Sequence, residues 1–379
     1  MGTYRFSALF RAMPFMPFMV KSSALTMELR DFRPVHASST PSPLKAANKR
    51  EISLPDGVRS IPARRLENMR IAVIGAGLAG LSCASSLADG GTKTVVFEKS
   101  RSLAGRCATR KWGAHIVDHG AQFFTIHSEE FRRACSTLPS GSLCTLRAPV
   151  VGPAGEIVPG SGERHYLREG NNRFGRHLAA NLDVRLEAPV TSVVPLDAGW
   201  EVSGERFDGV VLTAPWPQSA ALLGLPAAPD PFTRCLTAFF SYLVPFDAAQ
   251  MPYAIADESG DPLAWSACEN HKDGRVAGEE TVFVVQASPA FSAEQFDRPP
   301  AAWLGQLQPM LEARWKLPSR QRLESFAHRW RYSKAAGGMA KPDLPANLWV
   351  AGDGFGTSRV ESAWLSGRET ALSILAGKG

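Results

Sequence analysis

The feature that most constrains the fold is a glycine-rich turn between a β-branched run and a run of small residues. Arg70–Ile74 is short, apolar and β-branched, which is typical of a buried parallel strand. The turn itself is Gly75-Ala76-Gly77-Leu78-Ala79-Gly80, and Leu81–Ala88 after it predicts a helix that packs closely on a sheet. A second apolar run, Thr94–Phe97, ends at Glu98. This stretch therefore predicts a βαβ unit.

Each residue type in this unit suits a dinucleotide. Gly75 permits the tight turn, Gly77 lets the backbone approach a diphosphate, and Gly80 lets helix and strand pack closely. The helix N-terminus offers free N–H groups to that diphosphate, and Glu98 can accept both hydroxyls of an adenosine ribose. A glycine turn without a ligand is the alternative, and an acidic residue at this distance argues against it. The predicted binding residues are Gly75, Ala76, Gly77, Leu78, Ala79, Gly80, Glu98 and Lys99.

Two further segments favour FAD over NAD. Gly105-Arg106 resembles the second phosphate-contacting element of the amine-oxidase-like flavoproteins, in which Arg106 would meet the pyrophosphate; a surface salt bridge is the alternative. Leu348–Asp353 predicts a strand that ends in Gly352-Asp353, and Arg359–Gly367 opens a helix. Such a helix aims its positive end at the flavin in proteins of this type. A plain Rossmann dehydrogenase needs no such closing strand and helix.

Three motifs resemble the renalase-like flavoproteins. They are His119-Gly-Ala-Gln-Phe-Phe-Thr125, His328-Arg-Trp-Arg-Tyr332 and Arg359-Val-Glu-Ser-Ala-Trp-Leu-Ser-Gly367. Together with the βαβ unit, the resemblance spans Met69 to about Leu375. The chain departs from the family pattern at Ala104 and Ser362, where the family has glycine, and at Phe123, where it has tyrosine.

The resemblance implies a set of site residues. The ADP half of the cofactor would lie on Gly75–Gly80, Glu98 and Arg106. Near the isoalloxazine or closing the flavin end it implies Ala121, Gln122, Phe123, Gly352, Asp353, Val360 and Glu361. Val190 resembles a strand residue that contacts adenine, and an ordinary core strand is the alternative. Because the flavin performs the chemistry, no catalytic side chain is assigned; the candidates near the flavin are Gln122, Phe124, Trp330 and Tyr332.

The expected fold class is α/β, with an amine-oxidase or p-hydroxybenzoate-hydroxylase-like topology. A discontinuous Rossmann-type FAD-binding domain would comprise residues 69–130, 180–215 and 326–379. Residues 131–179 and 216–325 would form an inserted mixed α/β substrate domain, with Trp265, Phe283 and Trp330 as candidates for its floor. Residues 200–215 predict a hairpin followed by a buried strand.

Three functions compete. The resemblance implies an FAD-dependent oxidase that passes hydride from isomeric dihydro-NAD(P) to flavin N5, with dioxygen as acceptor and hydrogen peroxide as product. The alternatives are an amine oxidase or desaturase, with an aromatic cage and Lys334 or Lys341 near the flavin, and a non-catalytic flavin- or dinucleotide-binding protein. The nearest acid–base candidates, His115, His119 and His328, fit structural roles better. No cysteine occurs in the C-terminal flavin segment, so non-covalent FAD is expected.

Composition excludes several other classes. Residues 1–68 carry eleven basic and five acidic side chains, which is the whole net charge of +6, so the body gives no support for nucleic-acid binding. No apolar stretch is long enough for a membrane span, and none of the six cysteines forms a C-x-x-C pair, so no metal site is expected. The scattered thiols indicate a cytoplasmic location. Residues 1–68 are a tail ahead of Met69 or, alternatively, a mitochondrial or plastid transit peptide.

Overall fold

The computed structural model describes residues 69–160, 162–226, 230–335 and 338–377. The leader, residues 1–68, lies outside the described residues, so its two interpretations stay predictions.

Helices and strands are mixed along the described chain, with several runs of consecutive strands. The helices are α1 Leu78–Asp89, α2 Glu129–Ser136, α3 Arg173–Leu178, α4 Trp216–Leu222, α5 Pro289–Gln295, α6 Pro300–Trp315 and α7 Val360–Leu375. The strands are β1 Arg70–Ile74, β2 Lys93–Phe97, β3 Thr109–Trp112, β4 His115–Asp118, β5 Leu143–Leu146, β6 Val150–Val151, β7 Arg164–Leu167, β8 Asp183–Arg185, β9 Val193–Pro195, β10 Trp200–Val202, β11 Glu205–Phe207, β12 Gly209–Leu212, β13 Phe232–Tyr242, β14 Ala254–Ala256, β15 Trp265–Cys268, β16 Thr281–Gln286, β17 Arg322–Ala335 and β18 Leu348–Val350.

The predicted βαβ unit is confirmed at the centre of a five-stranded parallel sheet with the order β18-β12-β1-β2-β8. Val73 of β1 lies between Val96 of β2 and Val211 of β12. The continuous apolar sequence of β1 suits this central position because both faces of the sheet are covered. Helix α1 begins at Leu78, earlier than the predicted Leu81, because its N-cap is Gly77.

Two different layers cover this sheet. Side chains alternate along β1, so Ile71 and Val73 pack with α1 and α7, whereas Ala72 and Ile74 pack with the antiparallel β9-β10-β11 sheet. The two helices lie very close together, since a β-carbon at Gly367 of α7 would stand 2.0 Å from the carbonyl oxygen of Ala79. The hairpin and buried strand predicted in residues 200–215 are confirmed, because β10 pairs antiparallel with β11 and the four residues of β12 are all buried.

A second sheet has six strands in the order β17-β13-β16-β15-β14-β6. Helices α5 and α6 cover one face, where Trp303 and Leu307 pack against Leu236 and Phe240. The other face packs against the β3–β4 hairpin, which belongs to the predicted FAD-binding domain. The second sheet therefore lies against the nucleotide-binding half of the chain.

Strand pairing and packing differ from the predicted domain boundaries in three places. Strand β17 pairs along its length with β13, so residues 326–335 lie in the six-stranded sheet and not in the parallel one. Helices α3 and α4 and most of α2 fall within the predicted substrate domain. In the structure, α4 packs on the core of the parallel sheet, and α2 and α3 pack against α1 and α7. Strand β17 nevertheless contacts the nucleotide-binding half, because Trp330 Nε1–H donates to the His119 carbonyl oxygen and the Ser333 carbonyl oxygen accepts from Arg106.

Candidate functional site

The glycine-rich turn is built around close backbone approaches. A β-carbon at Gly80 would lie 1.9 Å from the Gly75 carbonyl oxygen, and one at Gly75 would lie 2.7 Å from Thr213 Oγ1. Gly75 also has a φ of +109°, which favours glycine. A β-carbon at Gly77 would meet no atom within 4 Å. Open space therefore adjoins the first turn of α1, whose N–H groups, from Leu78 onward, have no partner within the helix.

The Ala104-Gly105 segment lies directly against this turn. The Ala104 N–H donates to the carbonyl oxygen of Ala76 at 2.8 Å, and a β-carbon at Gly105 would stand 3.1 Å from Gly77 Cα. Ala104 has a φ of +78°, a left-handed conformation that alanine adopts only with strain. The family's preference for glycine at this position therefore has a physical reason, and this chain keeps the same backbone conformation with alanine.

Glu98 ties the end of β2 to the same turn. Its Oε2 accepts from the Ala76 N–H at 2.8 Å, and its Oε1 accepts from Ser100 N–H at 2.8 Å and Ser100 Oγ at 2.7 Å. The Lys99 side chain is exposed beside it. Val190 packs near Phe97 but precedes β9. The strand predicted to contain Val190 therefore begins only at Val193. The predicted adenosine end is therefore assembled around Glu98.

Arg106 and Asp353 bring the two predicted ends of the cofactor site together. The Arg106 guanidinium donates to Asp353 Oδ1 at 2.5 Å and Oδ2 at 3.1 Å, and also to the carbonyl oxygen of Ser333 at 3.1 Å. Ser358 Oγ donates to Asp353 Oδ2 at 2.6 Å. Asp353 follows Gly352, which has a φ of +147°. Arg106 is partly exposed and thus forms the salt bridge that was the alternative, with a partner at the other predicted end of the site, and its contact with a pyrophosphate stays a prediction.

The loop after β4 adjoins Arg106. The Ala121 N–H donates to the Arg106 carbonyl oxygen at 3.0 Å. Gln122 is buried, and its Oε1 has no hydrogen-bond partner among the described residues. Phe123 points to a cleft, whereas Phe124 packs in the core against Phe131, with ring centroids 6.1 Å apart. The structure therefore moves Phe124 from the group of candidates near the flavin to the core.

Val360 and Glu361 occupy the first turn of α7, but the Glu361 side chain does not serve the flavin end. Its carboxylate accepts from the His127 N–H at 3.0 Å, the Ser128 N–H at 2.6 Å and Ser128 Oγ at 2.6 Å. Ser128 is the N-cap of α2. Glu361 is buried, so it joins two helix starts as a structural carboxylate, while Val360 packs in the adjoining core.

We expect Glu361→Ala to lower the free energy of unfolding by roughly 2–3 kcal/mol, since a buried carboxylate with three donors is lost. The rate of flavin reduction in FAD-saturated protein should stay near that of the wild type. Chemical denaturation and anaerobic stopped-flow measure the two quantities. Glu129→Ala, an exposed change in the first turn of α2, is the control. Slower reduction with unchanged unfolding energy would instead place Glu361 beside the reacting atoms.

A cleft of about 720 Å³ opens beside Phe123, between the second sheet and the segment before β7. Phe123 and Trp265 form an aromatic pair on its wall, with ring centroids 6.0 Å apart and planes tilted by 45°. The Trp265 Nε1–H is buried without a partner among the described residues. The charged residues that line the cleft are Arg164, Lys334, Asp257 and Glu258.

The other aromatic candidates lie elsewhere. Trp330 stacks on His119 with centroids 5.5 Å apart, and its Nε1–H donates to the His119 carbonyl oxygen at 2.8 Å. Tyr332 packs edge-on against Phe232, and Phe283 is fully buried beneath α6. Of the three residues expected on the floor of the substrate domain, only Trp265 lines the cleft.

The three candidate histidines have structural surroundings. Burial lowers the pKa of His119 to about 3 and also lowers the pKa of His328, so both are neutral at neutral pH. His115 is buried next to Glu280, with Nε2 3.3 Å from a carboxylate oxygen. No histidine is among the described residues that line the cleft. The interpretation of these histidines as structural therefore stands.

A buried group of four charges is absent from the sequence prediction. Asp118, Glu269, Lys272 and Arg275 are all fully buried. Lys272 Nζ lies 2.7 Å from Glu269 Oε1 and 3.2 Å from Asp118 Oδ2, and Arg275 Nη2 lies 2.8 Å from the same Asp118 oxygen. We call these residues the buried charge cluster. It joins the end of β4 to the segment after β15, and nothing in the polar run 269–275 distinguishes it from an exposed loop.

Within the described ranges, all six cysteines are unpaired. In the same part of the chain, no group of three or more His, Cys, Asp or Glu residues is arranged to hold a metal ion, and no helix has the length and apolarity needed to cross a membrane. Of the two lysines considered near the flavin, Lys334 lines the cleft and Lys341 does not.

The assembled residues fit FAD. The open space at Gly77 lies at a helix N-terminus, where a diphosphate binds favourably. The Glu98 carboxylate stands at the end of the adjacent parallel strand, and Arg106 provides a cation between the two halves of the site. The unpartnered Gln122 Oε1 is a buried acceptor that a donor on a heterocyclic ring would satisfy.

Comparisons with known proteins agree with this assignment. A 43-residue segment is 54% identical to 15-cis-phytoene desaturase of Synechococcus elongatus, covering 11% of this chain and 9% of that protein. A 162-residue segment is 29% identical to a "possible lysine-specific histone demethylase 1" of Drosophila melanogaster, covering 40% of this chain and 17% of that protein. The chain therefore spans less than a fifth of these curated relatives.

Solved structures show the same fold at low sequence identity. Cyclohexylamine oxidase from Brevibacterium oxydans superposes with a TM-score of 0.65 at 13% identity, covering 82% of this chain and 99% of that one. Family models match residues 73–138 as an NAD(P)-binding Rossmann-like domain and residues 136–375 as a flavin containing amine oxidoreductase. The predicted fold class and the predicted FAD cofactor are confirmed, and the chain belongs to the flavin-containing amine oxidoreductase family.

Proposed function

We propose that this protein is a renalase-like FAD-dependent oxidase that oxidises a small reduced substrate bearing phosphate, of which isomeric dihydro-NAD(P) is the example implied by the sequence motifs. FAD, which the glycine-rich turn, Glu98 and Arg106 would hold, would supply the hydride acceptor, with dioxygen as the final acceptor and hydrogen peroxide as the product. The chain's own residues bind and orient the substrate in the cleft beside Phe123.

The charge of the cleft is the observation that carries this proposal. Arg164 and Lys334 line it, and neither has an ion-pair partner among the described residues. Asp257 pairs with Arg314, whose Nη2 lies 2.8 Å from Asp257 Oδ2 and 3.3 Å from Asp261 Oδ1. Glu258 is exposed at the rim. An excess of unpaired cations favours an anionic substrate such as a dinucleotide diphosphate over a cationic amine.

The remaining cleft residues suit a planar substrate that gives up a hydride. Phe123 and Trp265 offer ring faces on which a nicotinamide or adenine ring can stack. No histidine lines the cleft among the described residues, and hydride transfer from an already reduced ring needs no side-chain base. Positioning of the substrate is therefore the contribution that these side chains make.

Oxidation or desaturation of an organic amine is the second candidate. The aromatic pair Phe123 and Trp265 with Glu258 at the rim could surround an ammonium group. The names of cyclohexylamine oxidase and of 15-cis-phytoene desaturase among the matched proteins agree with this class. The Arg164 guanidinium, however, lies 5.5 Å from the Phe123 ring centroid, so an ammonium group bound at that ring would stand close to a like charge.

Anaerobic mixing of the FAD-loaded protein with a substrate panel tests the proposal. Isomeric dihydro-NAD and dihydro-NADP should bleach the flavin absorbance, and readmitted dioxygen should restore it with stoichiometric hydrogen peroxide. Cyclohexylamine and putrescine should leave the flavin oxidised. Reduction by the amines and not by the dinucleotides would establish the second candidate instead.

Arg164→Met should raise KM for the dinucleotide about ten- to a hundredfold and change kcat little, because a charge-assisted hydrogen bond to phosphate contributes about 1.5–3 kcal/mol. Arg168→Met is the matched control, since Arg164 begins β7 and Arg168 follows its last residue, but Arg168 pairs with Asp273 on the surface. Equal KM values for the Arg164 and Arg168 variants would contradict an anion-binding role for Arg164.

A further inference from the structure

The loop that follows β4 is held by its carbonyl groups. Five consecutive carbonyl oxygens, from Asp118 to Gln122, each accept a hydrogen bond from a side-chain N–H. We call this segment the 118–122 loop. The donors are Gln122 Nε2 to Asp118, Trp330 Nε1 to His119 at 2.8 Å, Gln286 Nε2 to Gly120 at 3.1 Å, and Asn171 Nδ2 to Ala121 at 2.9 Å and to Gln122 at 3.2 Å.

Three of these donors come from separate parts of the fold. Trp330 lies on β17, Gln286 ends β16, and Asn171 precedes α3. Loops ordinarily direct their carbonyl groups to water or to their own backbone. The conformation of the 118–122 loop therefore depends on the positions of β17, β16 and the segment before α3.

Both the backbone N–H and the side-chain oxygen of Asn171 are hydrogen-bonded. Its N–H donates to Asp118 Oδ1 at 3.1 Å, and its Oδ1 accepts from the Leu167 N–H at 2.9 Å. The Asp118 carboxylate is held in turn by Lys272 and Arg275 of the buried charge cluster. The cluster thereby forms the base of the loop, and Asn171 connects the base to the Ala121 and Gln122 carbonyl groups.

The 118–122 loop lies between the Gly105-Arg106 segment, which adjoins the glycine-rich turn, and the cleft beside Phe123. A β-carbon at Gly120 would stand 1.9 Å from the Arg106 carbonyl oxygen, so this backbone contact is tight. Arg106 follows Gly105, which touches Gly77, and it pairs with Asp353. At the other end of the loop, Phe123 lines the cleft. A shift of the loop would therefore displace groups on both sides of this junction.

We propose that Trp330, Gln286 and Asn171 are positioning residues that hold the 118–122 loop in the conformation that binds FAD. Two of them lie on the six-stranded sheet, so that sheet fixes part of the cofactor site without having to touch the cofactor. A binding site held in its bound conformation loses less entropy when the ligand binds. Removing one donor should therefore weaken FAD binding even though the other contacts remain. The proposal concerns cofactor binding and is independent of the substrate.

The test uses the full chain, stripped of FAD, and two variants that each delete one donor. Gln286→Met keeps the length of the side chain and Trp330→Phe keeps an aromatic ring. Each should raise the Kd for FAD about three- to tenfold, the effect of one lost hydrogen bond. Asn171→Ala, which frees two carbonyl groups, should have the largest effect. Hydrogen–deuterium exchange of the cofactor-free protein should become faster in a peptide covering residues 118–124.

Two controls separate positioning from general stability. Trp315→Phe deletes an indole N–H that donates to Ser266 Oγ at 2.8 Å, and Gln295→Met deletes an amide that donates to Glu294 at 3.0 Å. These variants should lower thermal stability at most and leave the Kd for FAD and the exchange of residues 118–124 unchanged. Gln286 is half-buried, so its variant serves as the decisive one if Asn171→Ala does not fold. An unchanged Kd for Gln286→Met and Trp330→Phe, or equal weakening in the controls, would overturn the proposal.

Discussion

Lys272→Met is expected to lower the free energy of unfolding by about 3–5 kcal/mol, measured by chemical denaturation of the FAD-loaded protein. Lys272 Nζ lies within hydrogen-bond distance of both Glu269 and Asp118, and all three side chains are fully buried. Removal of one partner from a buried ion pair leaves an uncompensated charge in a medium of low polarity, and such changes typically have this cost.

The two acids of the buried charge cluster should respond differently to the loss of Lys272. Burial raises the pKa of Glu269, whereas Arg275 and Lys272 together hold the pKa of Asp118 below its usual range. Glu269 is therefore the acid that takes up a proton when Lys272 is lost. The double variant Lys272→Met/Glu269→Gln, which has no excess charge, should recover part of the stability that the single variant loses.

Arg168→Met serves as the control for the Lys272 variant. Arg168 is exposed and lies 3.7 Å from Asp273, so its ion pair is screened by water and should contribute less than about 1 kcal/mol. If Lys272→Met also lowers the free energy of unfolding by less than about 1 kcal/mol, water reaches the buried charge cluster. The cluster would then not be a rigid base for the 118–122 loop.

The nucleotide-binding half was predictable because its chemistry depends on residues that are adjacent in sequence. The glycine spacing and Glu98 lie within one βαβ unit, and the strand and helix near Asp353 follow each other directly. Gly75 and Gly80 each have a specific close neighbour, Thr213 Oγ1 and the Gly75 carbonyl oxygen, whereas Gly77 faces open space. Local backbone geometry of this kind leaves a signature in a single sequence.

The buried charge cluster was not predictable, because its members are far apart in the chain and charged residues are usually exposed. Asp118 ends a short strand, and residues 269–275 form a polar run with a glycine, which is the composition of a surface turn. Only the docking of β4 against the segment after β15 buries them together. The same holds for Gln286 and Asn171, which contact the 118–122 loop from distant segments.

Glu361 and Phe124 show a different difficulty, because both lie in motifs whose presence was correctly recognised. A motif places a segment near the cofactor, but adjacent residues in it point in different directions. Phe123 lines the cleft while Phe124 packs in the core, and Glu361 turns from α7 to the start of α2. The direction of a side chain depends on packing with other elements, which the spacing of a motif does not determine.

Glu98→Ala is expected to weaken FAD binding by about ten- to a hundredfold, equivalent to about 1.5–3 kcal/mol, measured as the Kd of the FAD-stripped protein. The Glu98 carboxylate follows β2, where the sequence pattern predicts an acceptor for an adenosine ribose. It also accepts from the N–H groups of Ala76 and Ser100, so it shapes the glycine-rich turn. The reduction rate at saturating FAD should stay near that of the wild type, because the cleft lies beside Phe123 and is not lined by Glu98. Glu201→Ala, a half-buried change on β10 away from the turn, should leave both quantities unchanged.

Glu98→Gln separates the two tasks of this carboxylate. The glutamine oxygen can still accept from the Ala76 N–H, whereas its amide nitrogen replaces the oxygen that accepts from Ser100, so the bond to the glycine-rich turn is kept while the charge and the Ser100 bonds are lost. A Kd for the glutamine variant close to that of Glu98→Ala would assign the loss to the ionised carboxylate, through its ribose and Ser100 contacts, and not to the bond with Ala76. A Kd close to that of the wild type would assign the loss to the shape of the turn. Slower flavin reduction at saturating FAD in either variant would contradict the placement of Glu98 at the adenosine end, since a residue there has no contact through which to alter the reacting ring.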